Sequence, residues 1–356
     1  MTSNLPTSTR ELYYPKARLI GSYTNLEFRE SALPSELKSS DVLVKIHAVS
    51  LQSRDLLISQ GLYSIPTPEN LVPGSDMAGE VLAVGDQVTQ WKTGDRVCAN
   101  FLTKHIYGEL THEARLSALG GGVHGVLTQY KVFQENVLVA IPEHLSYEEA
   151  STLPCAGLTA YNAMRGPVPV KGGDTVLVQG TGGVSIFALQ FAVTIGATVI
   201  LTSSSDNKLA LARKYGAKHT INYKKTPDWE KEVMGITGGR GVDHTIEIGG
   251  PGTFGKSLET TRLGGTIHTI GALDLQGDSN LTATGVIVSA ILKGLNIRGI
   301  HVGSVELFNE MNRLLAARPD ATRPVVDKVF SFEDTVKAYE YLESQAHVGK
   351  VVVKVA

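Results

Sequence analysis

A short glycine-rich segment, GTGGVS at 180–185, has the composition of a phosphate-binding turn. Glycine has no Cβ, so its backbone can turn sharply and approach a ligand closely. Free N–H groups at the start of a following helix would face that ligand, and the helix dipole favours negative charge there. The segment therefore predicts a pyrophosphate-binding turn, and its candidate contacts are Gly180, Thr181, Gly182, Gly183 and Val184.

The flanking residues supply the elements that such a turn needs. Residues 174–179, DTVLVQ, form a short apolar run that is typical of a buried strand. Residues 186–196, IFALQFAVTIG, are almost entirely apolar and end in Gly196, which predicts a buried helix with a glycine stop. Together they predict a dinucleotide-binding unit in which Ser185 takes the third glycine position. The alternative is an ordinary strand–helix turn of another α/β protein.

The end of the next predicted strand, ATVILTSSS at 197–205, indicates which dinucleotide is bound. A site selective for NAD places a carboxylate at this strand end, where it accepts a hydrogen bond from the ribose 2′-hydroxyl. Here the strand ends in serines, including Ser203 and Ser204, and Lys208 follows in the first helical turn. We interpret Asp206 as the helix N-cap. Hydroxyls and a lysine suit a 2′-phosphate, so we expect NADP(H); the alternative is a lysine that is merely solvated.

Further strand–helix units follow. Their apolar runs are GVDHTIEIGG at 241–250, GGTIHTIG at 264–271 and NIRGIHVG at 296–303. Such repetition predicts a parallel sheet covered by helices on both faces, which is a doubly wound Rossmann architecture. His244 and His268 on these runs are interpreted as core residues rather than catalysts. Because ligands bind at the carboxyl ends of such strands, further candidate cofactor contacts are Gly249, Gly271 and Ala272.

Length and composition limit the classes of protein that this chain can be. A chain of 356 residues exceeds one typical domain, and a hydrophobic content of 42% suits an α/β protein with a sizeable core. A net charge of −2 gives no reason to expect a nucleic acid or a membrane as partner. Two cysteines suit a reducing compartment, and the polar first ten residues lack the apolar core of a signal peptide. We therefore expect a cytoplasmic protein that acts on a small molecule.

The first part of the chain is β-rich, and its motifs are specific. They are GSDMAGEVLAVGDQVTQWKTGDRV at 74–97, GVLTQY at 125–130 within a predicted strand at 125–133, and ASTLPCAGLTAYNAM at 150–164. In this order, and followed by the glycine turn, they resemble the medium-chain dehydrogenase/reductase superfamily over nearly the whole chain. The resemblance implies a homodimer. It also implies a GroES-like catalytic domain at 1–155, a Rossmann NADP-binding domain at 156–304 and a return to the catalytic domain at 305–356.

Zinc alcohol dehydrogenases of this superfamily bind their catalytic metal through a cysteine, a histidine and a second cysteine. At the corresponding positions this chain has Gln52, Ser75 and Cys155, and it lacks the lobe of four closely spaced cysteines. One thiol, even with Asp76 beside it, is not the set of three protein ligands that a catalytic zinc needs. We therefore expect no metal. The chain resembles instead the zinc-independent quinone oxidoreductase and enoyl reductase branch.

That branch often carries an asparagine in the first loop and, shortly after it, a tyrosine in a GxY context. Gln52 stands at the asparagine position and lengthens the amide by one methylene, and Tyr63 matches the tyrosine. The resemblance makes both residues catalytic candidates. Further cofactor contacts that the resemblance implies are Thr159, Tyr223, Gly349 and Lys350. For Lys350 the alternative is a solvated strand residue.

These residues predict hydride transfer from NADPH to an acceptor that is already electron-poor, because no metal is expected to polarise it. Quinones and α,β-unsaturated carbonyls meet that condition. Tyr63 is the candidate donor of a hydrogen bond or proton to the acceptor oxygen. Alternatively, Tyr63 only lines the pocket and water supplies the proton. Two other functions stay open: a carbonyl reductase or alcohol dehydrogenase that works without zinc, and a non-catalytic NADPH-binding protein.

Overall fold

Strands occur along the whole chain in the computed structural model, which describes residues 5–15, 21–271 and 281–356. Runs of β-branched and other apolar residues form most of them. In chain order the strands are β1 Ser8–Tyr13, β2 Glu27–Ala32, β3 Asp41–Ser50, β4 Asp76–Val84, β5 Arg96–Ala99, β6 Tyr130–Gln134, β7 Leu138–Ala140, β8 Thr175–Gln179, β9 Thr198–Ser203, β10 His219–Asn222, β11 Val242–Glu247, β12 Thr261–Thr269, β13 Asn296–Gly299, β14 Val326–Ser331 and β15 Lys350–Lys354.

The helices concentrate in the middle of the chain. A single π-helical turn, Leu153–Gly157, precedes the fourth of them. In the described part of the chain, no helix is both long and apolar enough to cross a membrane. In chain order the α-helices are α1 Ser53–Ser59, α2 His112–Leu116, α3 Tyr147–Ala150, α4 Leu158–Arg165, α5 Gly183–Ile195, α6 Asp206–Lys214, α7 Trp229–Ile236, α8 Pro251–Thr260, α9 Ala283–Lys293, α10 Val305–Ala317 and α11 Thr335–Glu343.

The first of two structural units is β-rich and combines both ends of the chain. It extends to Leu158 and resumes at Val302–Pro319 and Arg323–Ala356. Its main sheet has the strand order β14-β15-β3-β4-β5-β7, with β6 paired to β3, and β1 and β2 form a separate antiparallel pair. Strand β15 pairs antiparallel with β3, so the carboxy-terminal residues complete a sheet that the amino-terminal residues begin.

The core of this unit explains why the two chain ends meet. Alternate residues of β3, including Val42, Val44 and Ile46, are fully buried, as the period of a strand requires. Val351 and Val353 of β15 pack in the same apolar cluster. Burying the apolar faces of both strands in one core is what holds the last strand to the first sheet.

The second unit, Thr159–His301 with Asp320–Thr322, contains a parallel sheet. Among the described residues its strand order is β10-β9-β8-β11-β12-β13, and every pairing is parallel. From β8 the chain proceeds outward through β9 and β10 and then returns to β11 on the other side. That reversal is the switch point of a doubly wound sheet, where such folds bind ligands. The predicted α/β class, with a GroES-like part and a Rossmann sheet, is confirmed.

One predicted strand is shorter than expected. The run at 125–133 was expected to be a strand throughout, but β6 begins only at Tyr130. The N–H groups of Gly125 and Val126 donate instead to the carbonyls of Val72 and Pro73, at 2.6 and 3.1 Å. Residues 125–127 therefore bond to the loop before β4 rather than to β3.

Candidate active site

The glycine-rich turn lies between β8 and α5, at the carboxyl end of a central strand. Gly180 has a φ of 73°, a value that favours glycine, and its N–H donates to the Thr202 carbonyl at 2.8 Å. Gly182 is the N-cap of α5, and a Cβ built on it would meet no atom within 4 Å. Open space therefore lies before a helix whose first N–H groups have no partners within the helix. These residues fit a dinucleotide pyrophosphate.

Ser185 takes the third glycine position without disturbing the packing of helix on strand. It is buried, and its Oγ donates to the Gln179 carbonyl at 2.7 Å. Thr181 is also buried in the turn, next to Gly183 and Val184 at the start of the helix. Gly196 ends α5 in the left-handed region with a φ of 95°. Strand, turn and helix are therefore present within the predicted stretch.

The ends of β9 and β10 carry the residues expected at the adenosine phosphate. Ser203 is buried, and the Tyr223 N–H donates to its carbonyl at 3.1 Å. Tyr223 exposes 41% of its surface. Ser204 follows β9, and α6 begins two residues later with Lys208 in its first turn. Parallel pairing thus places hydroxyls and an aromatic ring at one edge of the sheet.

The prediction that Asp206 is the N-cap of α6 is wrong. Ser205 is the N-cap, and the helix begins at Asp206. The Asp206 carboxylate accepts hydrogen bonds from Asn222 Nδ2 at 2.7 Å and from Lys225 Nζ at 2.5 Å. These two donors lower the pKa of Asp206. The sequence interpretation missed Lys225 as a second cation at this strand end, although the KK pair at 224–225 was its signal.

A buried polar network that the sequence interpretation missed holds the loop after β11. Glu247 is fully buried and accepts hydrogen bonds from Gln179 Nε2 at 2.8 Å and from the Gly249 N–H at 3.0 Å. The hydroxyls of Thr253 and Ser257 donate to the same carboxylate. Gln179 and Glu247 are the last residues of the two central strands. The carboxylate therefore fixes the backbone at the switch point, because each of its oxygens is bound by several donors.

The predicted glycines at these strand ends are required by close packing. A Cβ on Gly249 would lie 2.4 Å from Thr253 Oγ1, and one on Gly271 would lie 2.3 Å from the Ile248 carbonyl oxygen. Thr159 is buried near the start of α4. The candidate Ala272 lies outside the described residues.

In the β-rich unit, three predicted positions converge on one carboxylate. Asp76 Oδ2 accepts hydrogen bonds from Gln52 Nε2 at 2.6 Å and from the Cys155 N–H at 2.9 Å. Asp76 Oδ1 accepts one from Ser75 Oγ at 2.5 Å. Burial raises the pKa of Asp76 to about 7, although the Lys350 ammonium acts in the opposite direction. The sequence interpretation considered Asp76 only as an insufficient metal ligand and did not identify it as the shared acceptor.

Gly349 and Lys350 lie in the same unit as this cluster, at the start of β15. Gly349 has a φ of 75°, and a Cβ on it would lie 2.3 Å from the Val325 carbonyl oxygen. Lys350 exposes only 4% of its surface, and its ammonium donates to the Leu51 carbonyl, next to Gln52. Burial lowers the pKa of Lys350, and the charge of Asp76 raises it. Lys350 is therefore not a solvated strand residue.

Tyr63 follows α1 and lies against a cation. The Arg54 guanidinium carbon is 4.7 Å from the Tyr63 ring centroid and also 4.7 Å from that of Phe101. Arg54 Nη2 donates to the Leu119 carbonyl at 3.0 Å. The close approach of Gly121, on which a Cβ would lie 3.2 Å from Tyr63 Cε1, limits the ring further. The sequence interpretation missed Arg54 as the residue that positions Tyr63.

Two protein families match the chain. Residues 38–143 match the alcohol dehydrogenase GroES-like domain, and residues 183–317 match the family described as zinc-binding dehydrogenase. A zinc-type alcohol dehydrogenase-like protein of Schizosaccharomyces pombe is 46% identical over 339 residues, covering 94% of this chain and 97% of that protein. The chain belongs to the medium-chain dehydrogenase/reductase superfamily.

Solved structures of medium-chain dehydrogenases and reductases support this assignment. An NAD-dependent alcohol dehydrogenase superposes with a TM-score of 0.85 at 31% identity, covering 98% of this chain and 100% of that one. A 2-octenoyl-CoA carboxylase reductase, solved with NADP and 2-octenoyl-CoA, has a TM-score of 0.86 at 26% identity and covers 98% of this chain and 88% of that one. This member of the superfamily is an oxidoreductase that binds a nicotinamide cofactor.

The residues at the zinc positions of this medium-chain dehydrogenase/reductase do not fit a zinc ion. Gln52 and Ser75 direct their side-chain donors to Asp76, and burial raises the pKa of the Cys155 thiol, which disfavours the thiolate that zinc binds. Within the described ranges, no group of three or more His, Cys, Asp and Glu side chains is arranged to hold a metal. The zinc binding that the family description names therefore does not fit the side chains at these three positions.

Proposed function

We propose that this protein is an NADPH-dependent, zinc-independent reductase that transfers hydride to a quinone or an α,β-unsaturated carbonyl. It acts as a cytoplasmic homodimer on a small-molecule substrate. The observation that supports the acceptor class is the convergence of Gln52, Ser75 and Cys155 on Asp76. This donor set provides no Lewis acid, so the acceptor must be electron-poor by its own structure.

In this proposal the chain binds the cofactor and forms hydrogen bonds with the acceptor. The Gly180–Val184 turn binds the pyrophosphate, and the network around Glu247 fixes the backbone at the switch point. Reduced nicotinamide, when bound, supplies the hydride. Tyr63, whose ring lies against Arg54, donates a hydrogen bond or proton to the acceptor oxygen as negative charge develops there. Gln52, held by Asp76, presents its amide to the same acceptor.

Identification of the product tests this proposal. Purified protein is incubated with NADPH, EDTA and a small α,β-unsaturated ketone, and the products are analysed by mass spectrometry. A saturated ketone supports the proposed reaction. An allylic alcohol would show reduction of the carbonyl, as in an alcohol dehydrogenase, and would overturn the proposed acceptor class. Cofactor binding without turnover on any acceptor would favour a binding protein.

The preference for NADPH rests on the end of β9. Ser203, Ser204 and Lys208 supply hydroxyls and a cation, and the Asp206 carboxylate bonds to Asn222 and Lys225. A 2′-phosphate would be stabilised by the lysines, whereas a 2′-hydroxyl gains little from them. We expect Lys208→Ala to weaken NADPH binding about fivefold and NADH binding little. Lys214→Ala, at the exposed end of the same helix, is the control. Equal affinity of the unmodified protein for both cofactors would contradict the preference.

A further inference from the structure

A groove in the β-rich unit is lined by none of the residues to which the proposed reaction assigns a role. It has a volume of about 640 Å³ and lies between residues 5–7, the turn at 33–39 and the end of β4 at 83–86. Its wall includes the half-buried side chain of Leu37. A space of this volume is large enough for a small ligand with an apolar chain.

A smaller, polar cavity adjoins this groove. It has a volume of about 240 Å³, and Leu33, Pro34 and Val132 line both spaces. The side chains of His124 and Lys131 line the smaller cavity only. An apolar groove and a polar cavity therefore lie side by side within one structural unit.

The polar cavity contains one cation more than its carboxylate balances. Its carboxylate, Glu11, already accepts hydrogen bonds from Arg29 Nε at 2.7 Å and from Ser31 Oγ at 2.6 Å. Among the described residues, the Lys131 ammonium has no hydrogen-bond or ion-pair partner, and it lies 6.0 Å from the Phe133 ring centroid. Burial lowers the pKa of Lys131 to about 8, so the amine is mostly charged at pH 7. An anion beside it would offset the cost of burying this charge.

His124 adds a second donor to the same cavity. Its Nδ1 accepts a hydrogen bond from the Val72 N–H at 3.2 Å. Burial lowers the pKa of His124, and the Lys131 ammonium acts in the same direction, so the ring is neutral at pH 7. A neutral imidazole whose Nδ1 is an acceptor carries its proton on Nε2. An ammonium and an imidazole N–H thus line one small cavity, and the two oxygens of a carboxylate can accept from both.

We propose that the groove and the polar cavity together bind a free medium-chain fatty carboxylate. The carboxylate accepts hydrogen bonds from Lys131 and His124, where the unbalanced positive charge lies. The aliphatic chain lies in the groove against Leu33 and Leu37, which removes its apolar surface from water. The proposal does not depend on the reaction proposed above, and its failure would leave that reaction untouched.

Calorimetry with a series of ligands tests both parts of the site. Hexanoate, octanoate and decanoate are titrated into the unmodified protein, and 1-octanol serves as a chain without charge. We expect affinity to rise about threefold for each added methylene, because each one loses apolar contact with water in the groove. An affinity that does not depend on chain length would overturn the proposal.

The variant Lys131→Met tests the charged end. It should bind octanoate about tenfold more weakly, because the carboxylate loses a charged donor, and 1-octanol as the unmodified protein does. Lys354→Met, on the exposed end of β15, is the matched control and should bind both ligands unchanged. Equal octanoate affinity of Lys131→Met and the unmodified protein would overturn the assignment of the carboxylate to this cavity.

A photoreactive ligand locates the site without any variant. Decanoate with a diazirine at its chain end is bound to the unmodified protein and irradiated, and the labelled peptides are identified by mass spectrometry. We expect the label within residues 5–7 or 33–39, and excess octanoate should remove it. Labelling confined to peptides outside the groove, or labelling that excess octanoate does not reduce, would overturn the proposal.

Discussion

At the scale of single residues, the position of Tyr63 is determined by its neighbours more than by its own loop. The Arg54 guanidinium lies between the rings of Tyr63 and Phe101, at 4.7 Å from each centroid. A planar cation between two aromatic faces is an attractive arrangement that limits the motion of both rings. The Tyr63 hydroxyl is therefore the part of the side chain that is left to act on a substrate.

Replacement of Tyr63 by phenylalanine tests this hydroxyl. The ring and its contact with Arg54 remain, so we expect NADPH affinity and thermal stability to stay unchanged. Turnover with the best acceptor should fall about a hundredfold, which is typical of losing a positioned proton donor. Steady-state kcat is the measurement, and Tyr107→Phe, at a side chain 76% exposed, is the control. Unchanged turnover would eliminate the role of Tyr63 as proton donor.

At the scale of elements, the unit formed by β8, the glycine turn and α5 contains a glycine whose surroundings differ from those of Gly249. A Cβ on Gly182 meets no protein atom within 4 Å, whereas one on Gly249 would collide with Thr253. The described residues therefore leave open space beside Gly182. We expect the cofactor to require the glycine at position 182, whereas packing requires Gly249.

The variant Gly182→Val exploits that difference. The added side chain occupies the open space before the helix, so we expect the unfolding temperature without cofactor to change little. The rise in unfolding temperature on addition of NADPH should be lost, because stabilisation by a ligand follows its affinity. Gly235→Val, at another open glycine on the exposed side of α7, is the matched control. Full stabilisation of the Gly182 variant by NADPH would show that the turn does not bind the cofactor.

Strands β11 and β12 carry a buried histidine pair. His244 Nδ1 and His268 Nε2 lie 3.2 Å apart, and His244 Nε2 is 3.5 Å from Asp174 Oδ2. Both histidines are buried, as the sequence interpretation expected. Burial lowers the pKa of His268 to about 3, and the neighbouring His244 contributes in the same direction. His268 therefore stays neutral in the folded protein at ordinary pH.

This pair predicts how stability depends on pH. Below pH 6.5, the ordinary pKa of histidine, His268 is protonated in the unfolded chain. In the folded protein it stays neutral down to about pH 3. The contribution of neutral His268 to the free energy of unfolding is thus fully present above pH 6.5. It is lost as the pH falls, by up to about 1.4 kcal/mol per pH unit.

We expect the unfolding temperature of the unmodified protein to fall more steeply between pH 7 and pH 5 than that of His268→Gln, measured by thermal denaturation. His112→Gln, at an exposed position in the other unit, should leave the slope unchanged. Identical slopes for His268→Gln and the unmodified protein would contradict the assignment.

At the scale of the whole molecule, one side of the Rossmann unit exposes apolar surface. Ile291 and Leu292 of α9 are 73% and 76% exposed, and Ile297 of β13 is 39% exposed. Strand β13 is also last in its sheet among the described residues. An apolar surface beside an open strand edge is typical of an interaction site, and a second copy of this chain would present the matching edge under twofold symmetry. This side is where we place the proposed dimer contact.

The double variant Ile291→Glu with Leu292→Glu tests the contact. Four buried carboxylates in a symmetric interface would be strongly unfavourable, so we expect the protein to sediment as a monomer in analytical ultracentrifugation. Val329→Glu introduces one charge at an apolar side chain 44% exposed in the other sheet, and should remain a dimer. A dimer that persists in the double variant would place the interface elsewhere.

The fold and the glycine turn could be predicted from the sequence because their determinants are local. The strand, turn and helix at 174–196 are adjacent, and glycine spacing fixes where the backbone turns. The capping mistake at Asp206 shows the limit of this reasoning. Its carboxylate bonds to Asn222 and Lys225, 16 and 19 positions away, and no pattern within α6 contains those partners.

The sequence by itself determined the parallel sheet, the glycine-rich turn between β8 and α5 and the loss of two zinc ligands, since each depends on residue type within a short stretch. Only the tertiary structure decided that Asp76 is the shared hydrogen-bond acceptor of Gln52, Ser75 and Cys155. Its donors Gln52 and Cys155 are 24 and 79 positions away, and the Lys350 ammonium bonds to a carbonyl 299 positions earlier. Packing of β4, β15 and the π-helical turn into one core brings these groups together, because hydrogen bonds and buried charges depend on distance in space rather than along the chain.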